Sequence, residues 1–234
     1  MFTGCLKYSP KHNNTMNLIE LIPALVILIT CATSLIGFNN QFVFQRYQFH
    51  IGAILHDKQY IRLLSSAFLH ADMMHLFFNM FTLYFFSRII AVVYGVWLFL
   101  ALYFAAILAG NLFTLWLYKN RPSYAAIGAS GGVSGVLFAT VALVPLENLY
   151  VFFIPMTSWI FATLYFAYSV TMMLRPQQWD NTGHAAHLGG AVCGMAFIGI
   201  LTPMAYVING LYIGIMSLPL LYLAYEILIN KKVR

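Results

Sequence analysis

Seven apolar runs, at residues 17–38, 70–95, 96–118, 128–144, 157–174, 183–202 and 206–229, occupy most of the 234-residue chain. About twenty consecutive apolar residues are enough to cross a bilayer. In lipid no water is available to the backbone, so only helices and closed barrels satisfy its N–H and C=O groups. The chain is therefore expected to be an all-α polytopic membrane protein with six or seven spans and no internal repeat. Composition agrees: 62% of residues are hydrophobic and 8% charged, where a soluble domain carries about a quarter charged.

The intervening segments divide the chain. Residues 1–16 form a polar tail in which Met16 is an alternative start, and residues 17–203 hold the first six runs as one domain. Residues 204–234 supply a further span, interrupted by Pro219, and a basic C-terminus. The long segment 39–69 mixes charges with Phe42, Phe44, Tyr47 and Phe49, which predicts a structured loop lying on or partly in the bilayer. An aromatic link covers 148–156, and residues 175–182 form a polar loop. The net charge of +6, from 12 Lys+Arg against 6 Asp+Glu, is expected at the headgroups, and no basic run suggests nucleic acid as a partner. Cys5, Cys31 and Cys193 are scattered, without the spacing of a metal site or a disulfide framework. The partner expected from composition is the bilayer.

Strongly polar groups inside spans are costly and usually functional. Here they are His75, Asn79, Arg88, His184, His187 and the serines of the fourth run. Gly183, His187, Gly190 and Gly194 recur at intervals of four, three and four, and so share one helix face. The fourth run opens Gly128-Ala129-Ser130-Gly131-Gly132-Val133-Ser134-Gly135. Two glycine-lined helices can approach closely, bringing a serine of one to the histidine of the other. Such a pairing is what makes a serine hydroxyl nucleophilic at neutral pH. Plain helix packing with a hydrogen-bonded histidine is the competing account. His75 and Asn79, four residues apart, are neighbours on one face and can both donate to a developing oxyanion. The N-terminus of the fourth run adds backbone N–H groups. A metal site using His70, His75, His184 and His187 would lack a His-x3-His pair and an acidic partner at useful depth. Asp72 and Asp180 lie near surface ends and can only be outer partners. A serine–histidine dyad is the economical reading.

With these residues in hand the chain resembles the rhomboid family of intramembrane serine proteases. The matching segments are Arg62-Leu63-Leu64-Ser65-Ser66-Ala67-Phe68-Leu69-His70, His75-x3-Asn79, Gly128-Ala129-Ser130-Gly131 and Ala186-His187-x2-Gly190-x3-Gly194, in family order. The resemblance implies a rhomboid-like six-helix bundle, here with a seventh C-terminal transmembrane helix. It implies Ser130 as nucleophile, His187 as general base, and His75, Asn79 and the Ser130 N–H as the oxyanion hole. It also implies a membrane-inserted first loop and cleavage of transmembrane substrates near small residues, without a metal or cofactor. Ser134 lies in a second Gly-x-Ser-Gly one turn later and is the alternative nucleophile. With Ser130 as nucleophile, Ser134 takes the position where some members place an aromatic against the base, so that support must come from elsewhere. His184 is either a competing base or a hydrogen-bonding residue near the mouth. In the family orientation nine of the twelve basic residues lie outside, opposite to the positive-inside rule.

Three functions fit such a chain to different degrees. The first is an intramembrane serine endopeptidase acting on single-pass or other transmembrane proteins. The second is a non-catalytic relative that binds membrane clients. The third is a small transporter, which would need more ionisable residues along its spans. The expected location is multi-pass in a membrane, on composition a bacterial inner or plasma membrane.

Overall fold

Each apolar run forms a helix. The structure, a computed structural model, describes residues 13–151, 154–180 and 182–232; most of the polar tail expected at 1–16 lies outside them. The order is α1 (Asn13–Asn39), then α2 (Gln41–Tyr47), β1 (Phe49–His50), α3 (Ile51–Leu55) and α4 (Arg62–Ser65) in the first loop. Next come α5 (Met73–Tyr94), α6 (Val96–Tyr118), β2 (Ala125–Ala126) and α7 (Ser130–Leu143). A hairpin β3 (Asn148–Val151) and β4 (Ile154–Thr157), α8 (Ser158–Leu174), α9 (His184–Leu201) and α10 (Pro203–Leu228) complete the chain. Among the described residues five helices are long and apolar enough to cross a membrane; α7 and α8 are apolar but shorter. The protein is an all-α polytopic membrane protein.

Two local expectations are corrected by the structure. The aromatic link folds as an antiparallel hairpin with Asn148 opposite Thr157 and Val151 opposite Ile154. Residues of β3 alternate between exposed and half-buried, a pattern a period-2 strand satisfies. The seventh run is not broken at Pro219, because α10 continues through it. A membrane helix tolerates a proline where neighbouring groups take up the freed carbonyl. Gly95, at φ +88°, joins α5 to α6 in a single residue, which a left-handed backbone and hence glycine allows.

The centre is the packing of α7 and α9 on each other and on α6. A Cβ on Gly190 would collide with the Gly131 carbonyl, and one on Gly194 with the Gly135 carbonyl. One on Gly110 of α6 would collide with the Ala186 carbonyl of α9. The backbones are thus in direct contact along the seam expected from the glycine spacing. Around it, Phe99, Leu102, Val136, Phe138, Phe166 and Ile198 are fully buried. The outward faces of α1, α5 and α10 are apolar and exposed, as in Leu28, Phe81 and Val207, which suits lipid. Helix α8 packs chiefly on α10.

This seam makes a sharp prediction. Gly190→Val should lower unfolding free energy in detergent by about 3 kcal/mol, because backbone and not a movable side chain stands in the way. Gly214→Val, on α10 with nothing within 4 Å of its Cβ position, should change it by less than about 0.5 kcal/mol. Denaturant titration of the two purified variants reads the difference.

Candidate active site

The 14 residues of α7 rise about 21 Å, short of the ~30 Å hydrocarbon core. One end must therefore be reached by non-helical chain inside the membrane, which is tolerated only where protein satisfies its polar groups. The first loop does this. Phe49 and His50 of β1 pair with Ala126 and Ala125 of β2. The Ile51 N–H donates to Tyr124 O at 3.1 Å, Gly52 N–H to Pro122 O at 2.9 Å, and Gly128 N–H to Ser66 O at 3.0 Å. The loop is itself stapled by the buried Arg62, whose guanidinium donates to Gln45 O (2.8 Å), Gln48 O (2.7 Å) and Gln59 Oε1 (2.8 Å). Asn111 of α6 ties it down by donating to Leu63 O at 2.8 Å.

His70 closes this support. Its Nδ1 lies 2.8 Å from Ser34 Oγ, and that hydroxyl donates to Phe68 O at 2.9 Å. With the serine proton committed, Nδ1 carries the imidazole proton and Nε2 is the acceptor. Nε2 accordingly takes the Ala129 N–H at 3.4 Å, just before α7 begins. His70 is buried in the fold, and it holds the chain that enters α7.

Gly128 has φ +118°, a conformation that favours glycine. A Cβ there would lie 2.7–2.8 Å from the His75 ring and 3.7 Å from Ser130 Oγ. The imidazole of α5 and the hydroxyl at the mouth of α7 therefore converge on one point, which only the missing side chain leaves clear. His75 sits on the first turn of α5, where Asp72 caps the helix by accepting the His75 N–H at 2.8 Å. Its ring lies edge-on to His70 with centroids 4.9 Å apart. Asn79, one turn on, is buried, and its amide donates to the His75 carbonyl at 2.9 Å. It shares the face with His75 as the spacing requires, but that donor is turned to its own helix.

Across the seam, His187 is half-buried on α9, one turn before Gly190. Its Nδ1 is 2.9 Å from Tyr165 Oη of α8, with the two rings inclined at 26° and centroids 6.4 Å apart. Among the described residues no hydrogen bond joins His187 to Ser130 or to Ser134. Catalytic hydrogen bonds are often long before substrate arrives. Ser130 is half-buried at the mouth of α7, and Ser134 is buried one turn deeper. Beside His187, with ring centroids 6.3 Å apart, stands His184. Its Nε2 is 3.0 Å from Asp180 Oδ2, which also accepts from Tyr168 Oη at 2.7 Å.

Comparison with known proteins decides the family. A family model described as the Rhomboid domain matches residues 57–204, more than half of the chain. The chain belongs to the rhomboid family. It is 34% identical to Rhomboid protein 1, mitochondrial, of Saccharomyces cerevisiae over 144 residues, covering 58% of this chain and 40% of that one. RHOMBOID-like protein 12, mitochondrial, of Arabidopsis thaliana is 29% identical over 170 residues, covering 66% and 50%. The Presenilin-associated rhomboid-like protein, mitochondrial, of Homo sapiens is 30% identical over 141 residues, covering 58% and 36%. This rhomboid spans half or less of the length of these relatives.

The rhomboid thus brings Ser130 and His75 to one point and sets Ser130 and His187 on helices in backbone contact. The group that sequence reasoning missed is Tyr165. It lies inside the fifth run, which also carries Tyr168, and nothing in its spacing singles it out. His184 hydrogen-bonds Asp180 through Nε2. Asp180 is an outer partner that ties the loop to α8 and α9.

Asp180 generates a pH prediction. Burial alone would raise its pKa, but hydrogen bonds from Thr182, His184 and Tyr168 outweigh that and hold the carboxyl well below the ordinary carboxylate range. A depressed folded-state pKa gives stability that is present above the unfolded value of about 3.9 and is lost as pH falls toward the folded one. The wild-type unfolding midpoint should therefore begin to drop below about pH 5 and go on falling through about pH 3. Asp180→Asn should show a lower midpoint at pH 7 and a flatter profile below pH 5. Thermal scans across pH check both.

Proposed function

We propose that this rhomboid is an intramembrane serine endopeptidase that cleaves transmembrane proteins through a Ser130–His187 dyad. Ser130 Oγ attacks the scissile carbonyl while His187 Nε2 takes its proton. His75, Asn79 and the Ser130 N–H face the oxyanion, with the Asn79 amide turning from its helix carbonyl to do so. The imidazolium protonates the leaving amine, and water then hydrolyses the acyl-enzyme with His187 again as base. A helical substrate shields its carbonyls, so it must unwind locally. Residues that weaken the substrate helix therefore favour cleavage.

The observation that carries this reading is the convergence of His75 and Ser130 on the side-chain-free space at Gly128, just before the seam that bears His187. Non-functional packing would not require a left-handed glycine beneath an imidazole at a helix N-terminus. Ser130 is favoured over Ser134 because it stands at that space, whereas Ser134 is buried a turn deeper. The names of the relatives compared are mitochondrial, whereas composition suggested a bacterial inner membrane. Fractionation of the source cell decides between the two.

The test is cleavage of a tagged transmembrane substrate in liposomes. Ser130→Ala and His187→Ala should each lower the rate on the order of 10³-fold or more, and Ser134→Ala should stay within about tenfold of wild type. Activity in Ser130→Ala with loss in Ser134→Ala would reassign the nucleophile. No cleavage, together with no labelling by a fluorophosphonate, would leave the client-binding role.

A further inference from the structure

We propose that Tyr165 is the positioning residue for His187, fixing the imidazole in the tautomer whose Nε2 is the proton acceptor, with Ser134 and Ser169 behind it. The inference rests on the reading of His187 as general base. A dyad has no carboxylate to choose between the two neutral tautomers, yet only the one protonated at Nδ1 leaves Nε2 free. In a dry helix bundle an Nδ1–H without an acceptor would be costly. Tyr165 Oη, 2.9 Å from Nδ1, is that acceptor, provided its own proton goes elsewhere.

Two hydroxyls offer that place. Ser134 of α7 and Ser169 of α8 are the hydroxyls near Tyr165 Oη. Among the described residues neither is hydrogen-bonded to it in this arrangement, and Ser169 Oγ is buried without a partner. If the tyrosine proton is donated to a serine oxygen, the lone pair of Oη takes the Nδ1–H, and the chain runs His187 to Tyr165 to serine. The reverse direction would put the imidazole proton on Nε2 and disarm the base. When Nε2 accepts the Ser130 proton, the Nδ1–H···Oη bond remains and stabilises the imidazolium with a dipole, so no carboxylate is buried. The tyrosine ring is held firmly enough to act in this way. Phe138 lies 5.2 Å and Phe161 5.9 Å from it, centroid to centroid. This also accounts for Ser134, whose place one turn below Ser130 otherwise duplicates the nucleophile motif without use.

The experiment compares wild type with Tyr165→Phe, which keeps the ring and removes only the hydroxyl. The Ser134→Ala/Ser169→Ala double variant serves as the second probe. Tyr165→Phe should lower kcat by about 10- to 100-fold, with KM within twofold and an unchanged unfolding midpoint. The double variant should lower kcat in the same direction but less. Ring 15N shifts of His187 in detergent should report Nδ1–H in wild type and a mixed or Nε2–H population in Tyr165→Phe. Wild-type kcat in Tyr165→Phe, or lost activity with the His187 tautomer unchanged, would overturn the proposal. If wild type neither cleaves nor labels, the peptidase reading fails by itself. The 15N shifts still decide the role of Tyr165, because they need no turnover: an unchanged tautomer in Tyr165→Phe overturns it.

Discussion

The backbone contact between α7 and α9 is the constraint on which the rest of the molecule depends. In lipid no hydrophobic force draws helices together, so association rests on dispersion and close approach. Gly190 against the Gly131 carbonyl, and Gly194 against the Gly135 carbonyl, bring the two axes as near as backbones allow. Gly110 extends the same contact to α6 through the Ala186 carbonyl. Helix α9 thereby meets both α7 and α6 backbone to backbone, while Tyr103, Ala106 and Ile107 of α6 fill the space against the glycines of α7. Ser130, His187 and the chain around Gly128 are all positioned from this centre. By contrast α8 rests chiefly on α10, and Asp180 ties its outer end to α9 through Tyr168 and His184.

A short α7 makes the first loop necessary. Because that helix does not fill the membrane, its mouth is built from extended chain, whose N–H and C=O groups need partners in an apolar zone. The loop supplies them through β1, Ser66 and His70, and is in turn held by Arg62 and Asn111. Of the aromatic residues that gave residues 39–69 a membrane-seeking character, Phe49 serves the same end, while Phe42 and Tyr47 stay exposed. Phe49 is fully buried and Ile54 beside it, so the loop carries its own small core down to the level of the site.

What was legible in the sequence follows from how each feature is encoded. The spans were legible because length and hydropathy are properties of contiguous residues. The seam was legible because glycines recurring on one face of a membrane helix leave room for a neighbouring backbone. Pro219 misled, since a proline that breaks a helix in water is accommodated in α10. The β3–β4 hairpin was hidden among aromatic residues that read equally well as a link. Tyr165 was illegible for a different reason. In a chain with 15 tyrosines the type carries no signal, and its pairing with His187 depends on where α8 meets α9, 22 residues apart in sequence. The direction of the Asn79 amide was equally out of reach, because a carboxamide on the right face can bond its own helix as readily as a ligand.

The distribution of charge accounts for a hydroxyl and not a carboxylate standing behind His187. An ionised carboxylate at bilayer depth would need full compensation, and the α7–α9 seam has no room for it. Asp180 instead lies in the loop, where Thr182, Tyr168 and His184 donate to it. The anion is thus solvated by protein at the end of the bundle, one residue removed from the proposed base. Under the proposed reading the polar chain inside consists of neutral groups, Tyr165 with Ser134 and Ser169, each able to donate or accept. Such a chain needs no counter-ion before or after proton transfer, so its desolvation cost is that of hydroxyls. Under the proposed reading, the second serine of the glycine-rich motif follows from this division: the charge stays at the mouth, and a hydroxyl takes the place a carboxylate would hold in water.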